Sequence, residues 1–115
     1  MLRYRERCDA RKRQLEGAAQ EMATFCATKR DIVGVYVFGS LADGNIHPQS
    51  DLDLLIVRET TALPPHRADD IYRDAPVMVG FDALVVTPNE YRNRLPLTPF
   101  GRTVLSQARP LYERR

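Results

Sequence analysis

The stretch Phe38-Gly39-Ser40-Leu41-Ala42-Asp43-Gly44, followed after a short loop by Ser50-Asp51-Leu52-Asp53-Leu54, decides the fold. Just before it, Ile32 to Phe38 carries β-branched and aromatic residues at both parities. A strand apolar on both faces reads as central, in a sheet covered on both sides. The strand stops at Gly39-Ser40, where a residue without a Cβ lets the backbone turn sharply. Ser40 to Gly44 has the length of one helical turn, and Asn45 to Ser50 is a loop by its turn residues. Asp51 to Val57 then reads as a second strand. Period two puts Asp51, Asp53, Leu55 and Val57 on one face, and Leu52, Leu54 and Ile56 on the other.

Working outward, Val77 to Val86 reads as a third strand, with Gly80, Asp82, Leu84 and Val86 on one parity. Arg67 to Asp74 reads as a short helix. Upstream, Tyr4, Cys8, Leu15, Ala18, Ala19, Met22, Phe25 and Cys26 recur at helical spacing, so one helix is expected from about 2 to 29. The stripe lapses at Arg11-Lys12, so the first two turns project past the core. Downstream, Thr87-Pro88-Asn89-Glu90 is a helix start: Thr87 as N-cap, Pro88 at the first position, and Glu90 closing a capping box. That helix should stop near Pro96, and Thr98-Pro99 starts another that runs to about Ala108. Pro110-Leu111-Tyr112 is a candidate edge strand. The expected organisation is one domain over 1–115: a helix at about 2–29, a core at about 32–86 and helices at about 88–108. The expected class is α/β, a small mixed sheet of three to four strands with helices packed mainly on one side.

The chain has 115 residues, 43% of them hydrophobic, enough for one modest core. No apolar run approaches the ~20 residues of a membrane-spanning helix. The N-terminus has basic residues but no apolar segment behind them, unlike a signal peptide. Both points lead to the expectation of a soluble, cytoplasmic protein with no membrane partner. The formal charge is only +2, which argues against nucleic acid as a direct partner. The cluster Arg3, Arg5, Arg7, Arg11, Lys12 and Arg13 alternates with Glu6 and Asp9 and reads as a solvated helix face. Cys8 and Cys26 would lie about 27 Å apart on one helix at ~1.5 Å per residue, too far for a disulfide.

The chemistry follows from the opening stretch. A glycine at a strand end admits a phosphate to the backbone, and backbone N–H groups beyond it carry partial positive charge. Ser40 adds a hydroxyl donor. Asp51 and Asp53 are two carboxylates on one side of a strand, costly together unless cations intervene. Magnesium takes oxygen ligands and favours one or two carboxylates plus substrate phosphates. Two such ions about 3.5–4 Å apart can clamp an in-line displacement. Asp82, an acid in an apolar strand, is the candidate third carboxylate, binding metal and activating a hydroxyl. Asp69, Asp70 and Asp74 compete for that place but read as polar positions of the loop and short helix. His47 and His66 read as exposed loop residues.

Gly39-Ser40, Asp51-x-Asp53 and a later Asp82 resemble the signature of the minimal nucleotidyltransferase domains of the DNA polymerase β superfamily. The resemblance covers nearly the whole chain. It implies a polymerase β palm-like fold and transfer of a nucleoside monophosphate, usually AMP from ATP, to a hydroxyl, with release of pyrophosphate. Asp51, Asp53 and Asp82 are then the catalytic and metal-binding residues, and Gly39 and Ser40 bind the phosphates. Two magnesium ions are implied, with manganese as a substitute. Small domains of this kind often act as antitoxins beside a HEPN-type toxin, which they adenylylate or simply occlude. Little chain follows the third strand, so the expected acceptor is a macromolecule. The alternative is a small-molecule enzyme whose site is shared across a homodimer. Leu41 and Asp43 stand where many relatives carry a basic residue. Arg58 or a partner's arginine is the expected source of compensating charge.

Overall fold

A computed structural model describes residues 3–115. Helix α1 spans Tyr4–Ala27, and the expected start at residue 2 lies outside the described residues. Strand β1 is Ile32–Phe38. A single helical turn, α2, covers Ser40–Asp43. Strand β2 is Leu52–Arg58. Helix α3 is Asp69–Asp74, followed by strand β3 at Phe81–Val86. Helices α4, Pro88–Asn93, and α5, Pro99–Gln107, flank a 3-10 turn at Leu95–Leu97. Strand β4, Arg109–Glu113, closes the chain.

The four strands form one mixed sheet in the order β3-β2-β1-β4. β1 pairs antiparallel with β2 and with β4, while β2 and β3 run parallel. The sheet is buried on both faces, as the double parity of β1 requires. On one face Leu15, Ala19, Met22 and Cys26 of α1 pack with Val35, Val37, Leu52, Leu54, Ile56 and with Ile71 of α3. On the other, Leu55, Val57 and Val86 pack with Val104 of α5, and Tyr36, Phe38, Tyr91 and Leu95 complete that smaller cluster. The larger helical layer therefore sits on one side. Burial raises the Cys26 thiol to about 11, so it packs as an inert apolar side chain.

Several boundaries differ from the sequence reading. β3 begins at Phe81 rather than Val77 because its partner begins at Leu52, which pairs with Phe81. Upstream of that pair β3 has no ladder to join, so Val77 and Val79 pack on the core while Met78 is fully exposed. Leu52 N–H donates to the Gly80 carbonyl, which leaves Asp51 just outside the strand. α3 begins at Asp69 rather than Arg67, whose side chain is drawn away to the Ala62 carbonyl and Glu90. α4 stops at Asn93, and the 3-10 turn takes the residues up to Leu97. Thr87 and Glu90 form both bonds of the capping box. On the outer edge of β3, the Tyr72 hydroxyl accepts from Ala83 N–H at 2.8 Å, and its ring stacks on Phe81.

Candidate active site

The site lies where β1 ends and β2 begins. Gly39 adopts φ 74° and ψ −149°, a backbone shape that residues with a Cβ avoid. A Cβ placed there would meet Asp53 Oδ2 at 2.2 Å. The glycine thus does two things: it turns the chain from β1 into α2, and it leaves room for the Asp53 carboxylate. Its N–H donates to Gln107 Oε1 at 3.1 Å, so the last residue of α5 pins the turn. Ser40 follows as the first residue of α2.

Asp53 stands opposite Phe38 on one side and in register with Asp82 on the other. Paired residues of neighbouring strands share a face, so Asp53 and Asp82 emerge on the same side, above Leu55 and Leu84. Asp51 shares their parity. Asp53 is half-buried, while Asp51 and Asp82 are exposed. Burial raises the Asp53 carboxyl above its usual range, and the charges of Asp82 and Asp51 add to the effect. Each of these causes disfavours the ionised carboxylate, and a cation bound there would offset them.

Among the described residues no three acid, histidine or cysteine side chains close into a cage for a metal ion by themselves. The donor set is nonetheless all carboxylate oxygen, spread across two adjacent strands. That chemistry fits a hard ion held by one or two carboxylates, with phosphate and water completing its shell. Asp51 and Asp53 are the residues that could hold it, with Asp82 beside them.

Arg11 was read as part of a solvated face, but it is a component of this site. Its Nε donates to the Ser50 carbonyl at 2.8 Å, and an Nη lies 3.4 Å from Asp51 Oδ1. Its side chain is only 19% exposed, which sets it apart from the exposed arginines around it. Arg58, expected as a source of charge for the loop, is committed elsewhere. It pairs with Asp31 and Asp70, each at 2.8 Å, at the opposite end of β2 from Asp53. Five residues of strand put it about 17 Å away at ~3.4 Å per residue. Leu41 is buried in the core, and Asp43 Oδ1 accepts from Asn45 N–H at 2.8 Å.

The rival acids are all accounted for. Asp70 binds Arg58 and Lys29, Asp69 meets His66, and Asp74 pairs with Arg73. Sequence reasoning missed Arg11 and Gln107 because both act through contacts distant in the chain. The lapse of the apolar stripe at Arg11 was the one signal available. Nothing local marks Gln107.

The family model described as polymerase beta, nucleotidyltransferase matches residues 20–114. The chain belongs to that family. No curated protein matches this nucleotidyltransferase-family chain in sequence. Among solved structures, it is similar to a provisionally assigned nucleotidyltransferase from Sulfolobus solfataricus, with a TM-score of 0.70 and 19% identity. That likeness covers 94% of this chain and 88% of the other. It is also similar to a chain of a toxin-antitoxin structure determined with AMP-PNP, at a TM-score of 0.52 and 16% identity, covering 85% and 74%. At such identities both likenesses speak to the fold, which is the nucleotidyltransferase fold.

Proposed function

We propose that this chain is a magnesium-dependent nucleotidyltransferase that moves AMP from ATP onto a hydroxyl of a macromolecular acceptor, a partner protein of the HEPN-toxin kind. The observation that carries the reading is the register of Asp53 with Asp82 across two parallel strands, with Gly39 closed against Asp53. Membership of the family supports the reaction class. The fold neighbour solved as a toxin-antitoxin assembly with AMP-PNP supports both a nucleotide and a protein partner.

The roles follow from chemistry. Asp51 and Asp53 would carry the ions, two of magnesium with manganese able to substitute. Bound magnesium supplies charge neutralisation to the phosphates and alignment of the attacking and leaving oxygens. Gly39, with no side chain, admits the triphosphate to the backbone, and the Ser40 hydroxyl donates to it. Asp82 orients the acceptor hydroxyl and takes its proton. The acceptor oxygen bonds to the α-phosphorus, the bond from that phosphorus to the bridging oxygen breaks, and pyrophosphate leaves. Arg11 holds the start of β2, and with it Asp51, in place. The test is transfer of label from α-labelled ATP to the co-expressed partner in the presence of magnesium. Asp82→Asn is expected to slow transfer about 10²–10⁴-fold, the usual weight of a general base. A variant that transfers at the wild-type rate removes Asp82 from the mechanism.

A second reading has its own support. The turn at 39–44 has no basic side chain, and Asp43 is exposed within it. An antitoxin that occludes its partner without catalysis needs no phosphate cradle. Calorimetry with ATP and magnesium separates the two, since occlusion alone predicts no heat of nucleotide binding. Full neutralisation of the partner by Asp51→Asn/Asp53→Asn would favour occlusion.

A further inference from the structure

The acid-bearing face of β3 continues into an apolar cleft. Leu84 and Val86 follow Asp82 at alternate positions, and both line it. Pro64 and Leu95 line it as well, and its volume is about 270 Å³. That is below the roughly 300–1,000 Å³ of sites for drug-sized molecules. It is many times the ~30 Å³ share of a water molecule. An apolar side chain from another protein suits it better than a cofactor. Leu63 and Leu97 adjoin the lining residues Pro64 and Thr98 in the chain, Phe100 lies two residues past Thr98, and the three are 70%, 75% and 60% exposed. Large apolar side chains left in water around an apolar hollow mark a docking face.

Charge identifies the occupant. Arg67 and Glu90 in the lining neutralise each other at 2.6 Å, and Glu90 is also spent on the capping box. Arg94 lines the cleft, and Arg102 stands outside the lining, with an Nη 3.4 Å from the carbonyl of Pro96, the residue after the lining Leu95. Both are exposed, and neither forms an ion pair among the described residues. The lining contains no unpaired carboxylate. The complement of this surface is an apolar anchor flanked by acidic residues. Nucleic acid would satisfy the arginines but leave the apolar lining without a partner.

Position supplies the purpose. Leu84 lies two residues from Asp82 on the same face, about 7 Å along the strand. A chain anchored at Leu84 passes beside the acids. We propose that this cleft is the docking groove for the protein acceptor. It takes an apolar side chain flanked by Asp or Glu residues and brings a nearby hydroxyl to Asp82. The inference rests on the protein-acceptor reading above, but binding is measured without turnover.

The experiment is an amide-resolved NMR titration with a synthetic peptide whose Leu-Phe centre is flanked by glutamates. One control peptide has lysine flanks, and another replaces the centre with alanines. The acid-flanked peptide should bind about tenfold or more tighter than either control, with shifts at Leu84, Val86, Leu95 and Phe100. Arg94→Glu/Arg102→Glu should cost about tenfold or more and favour the lysine-flanked peptide instead. Both positions are exposed, and unchanged shifts elsewhere verify the fold. Equal binding of the controls, shifts on another face, self-association through the same amides, or tighter binding of single-stranded RNA there each overturn the proposal. Asp53→Asn should bind the peptide as the wild type does. Absence of label transfer by the wild-type chain, with peptide binding intact, removes only the enzymatic reading. Wild-type transfer by Arg94→Glu/Arg102→Glu removes only the groove.

Discussion

Gly39 and Asp53 share one space, and each sets limits on the other. Gly39→Ala combines a forbidden backbone shape with a collision against Asp53 Oδ2. It should cost about 1–3 kcal/mol in urea unfolding, the usual weight of such strain. It should also abolish any rise of Tm on adding magnesium, because the carboxylate is displaced. Asp53→Asn should act in the opposite sense on the free protein. The carboxyl of Asp53 is raised, so it favours the folded state below the unfolded value near ~3.9 and loses that benefit as pH climbs through the folded value. At neutral pH the ionised group is therefore a burden. Removing its charge should raise the Tm of the metal-free protein by a few degrees, where ~1 kcal/mol is worth about 4–8 °C in small domains. The same variant should lose the response to magnesium. A fall in Tm at neutral pH would count against the repulsion. That Asp53 and Asp82 share one side of the sheet was legible because spacing along strands is regular. The place of Arg11 was not, since its meaning depends on Ser50 and Asp51 some forty positions away.

The elements show the same division. The start of α4 was legible because a capping box is local: Thr87 and Glu90 bond across one turn. The central place of β1 was legible from its doubled apolar parity. The start of β3 was not, because only the end of β2 decides where a ladder can form. The corner between the 3-10 turn and α5 was equally hidden. A Cβ at Gly101 would sit 1.9 Å from the Leu95 carbonyl oxygen, and backbone cannot yield as a side chain can. Gly101→Ala should therefore lower stability by about 1–3 kcal/mol, the range for overpacking. Gln107 ends the same helix, so Gly101→Ala should also loosen the turn at Gly39, read as faster amide exchange there.

Across the whole molecule, two charge systems occupy opposite ends of β2. At one end carboxylates face each other with Arg11 at their margin. At the other, Arg58 and Lys29 hold Asp70, joining β2 and α3 to the chain just after α1. The Arg58 guanidinium and then Lys29 keep the Asp70 carboxyl well below the usual range. A lowered carboxyl stabilises the fold above its unfolded value, near ~3.9, and that stability is lost as pH falls toward the folded value. Asp70→Asn should thus lower Tm at neutral pH and flatten its decline in acid, the reverse of Asp53→Asn. Melts of both variants across the acid range check the pair of signs. The fold class and the sheet with its larger layer on one side could be read in advance. The separation of the two charge systems could not, because Arg58 looked free until the fold gave it Asp31 and Asp70.

β3 is an edge strand, held on one side by β2 and covered on the other by the Tyr72 hydroxyl. Side chains alternate along it, so a slip of one residue would trade Asp82 for Phe81 or Ala83 on the acid face. It would also turn Val85 out of the larger core. The apolar side of β3 is thus a ruler for the polar side: greasy residues packed on the larger core set where the Asp82 carboxylate falls.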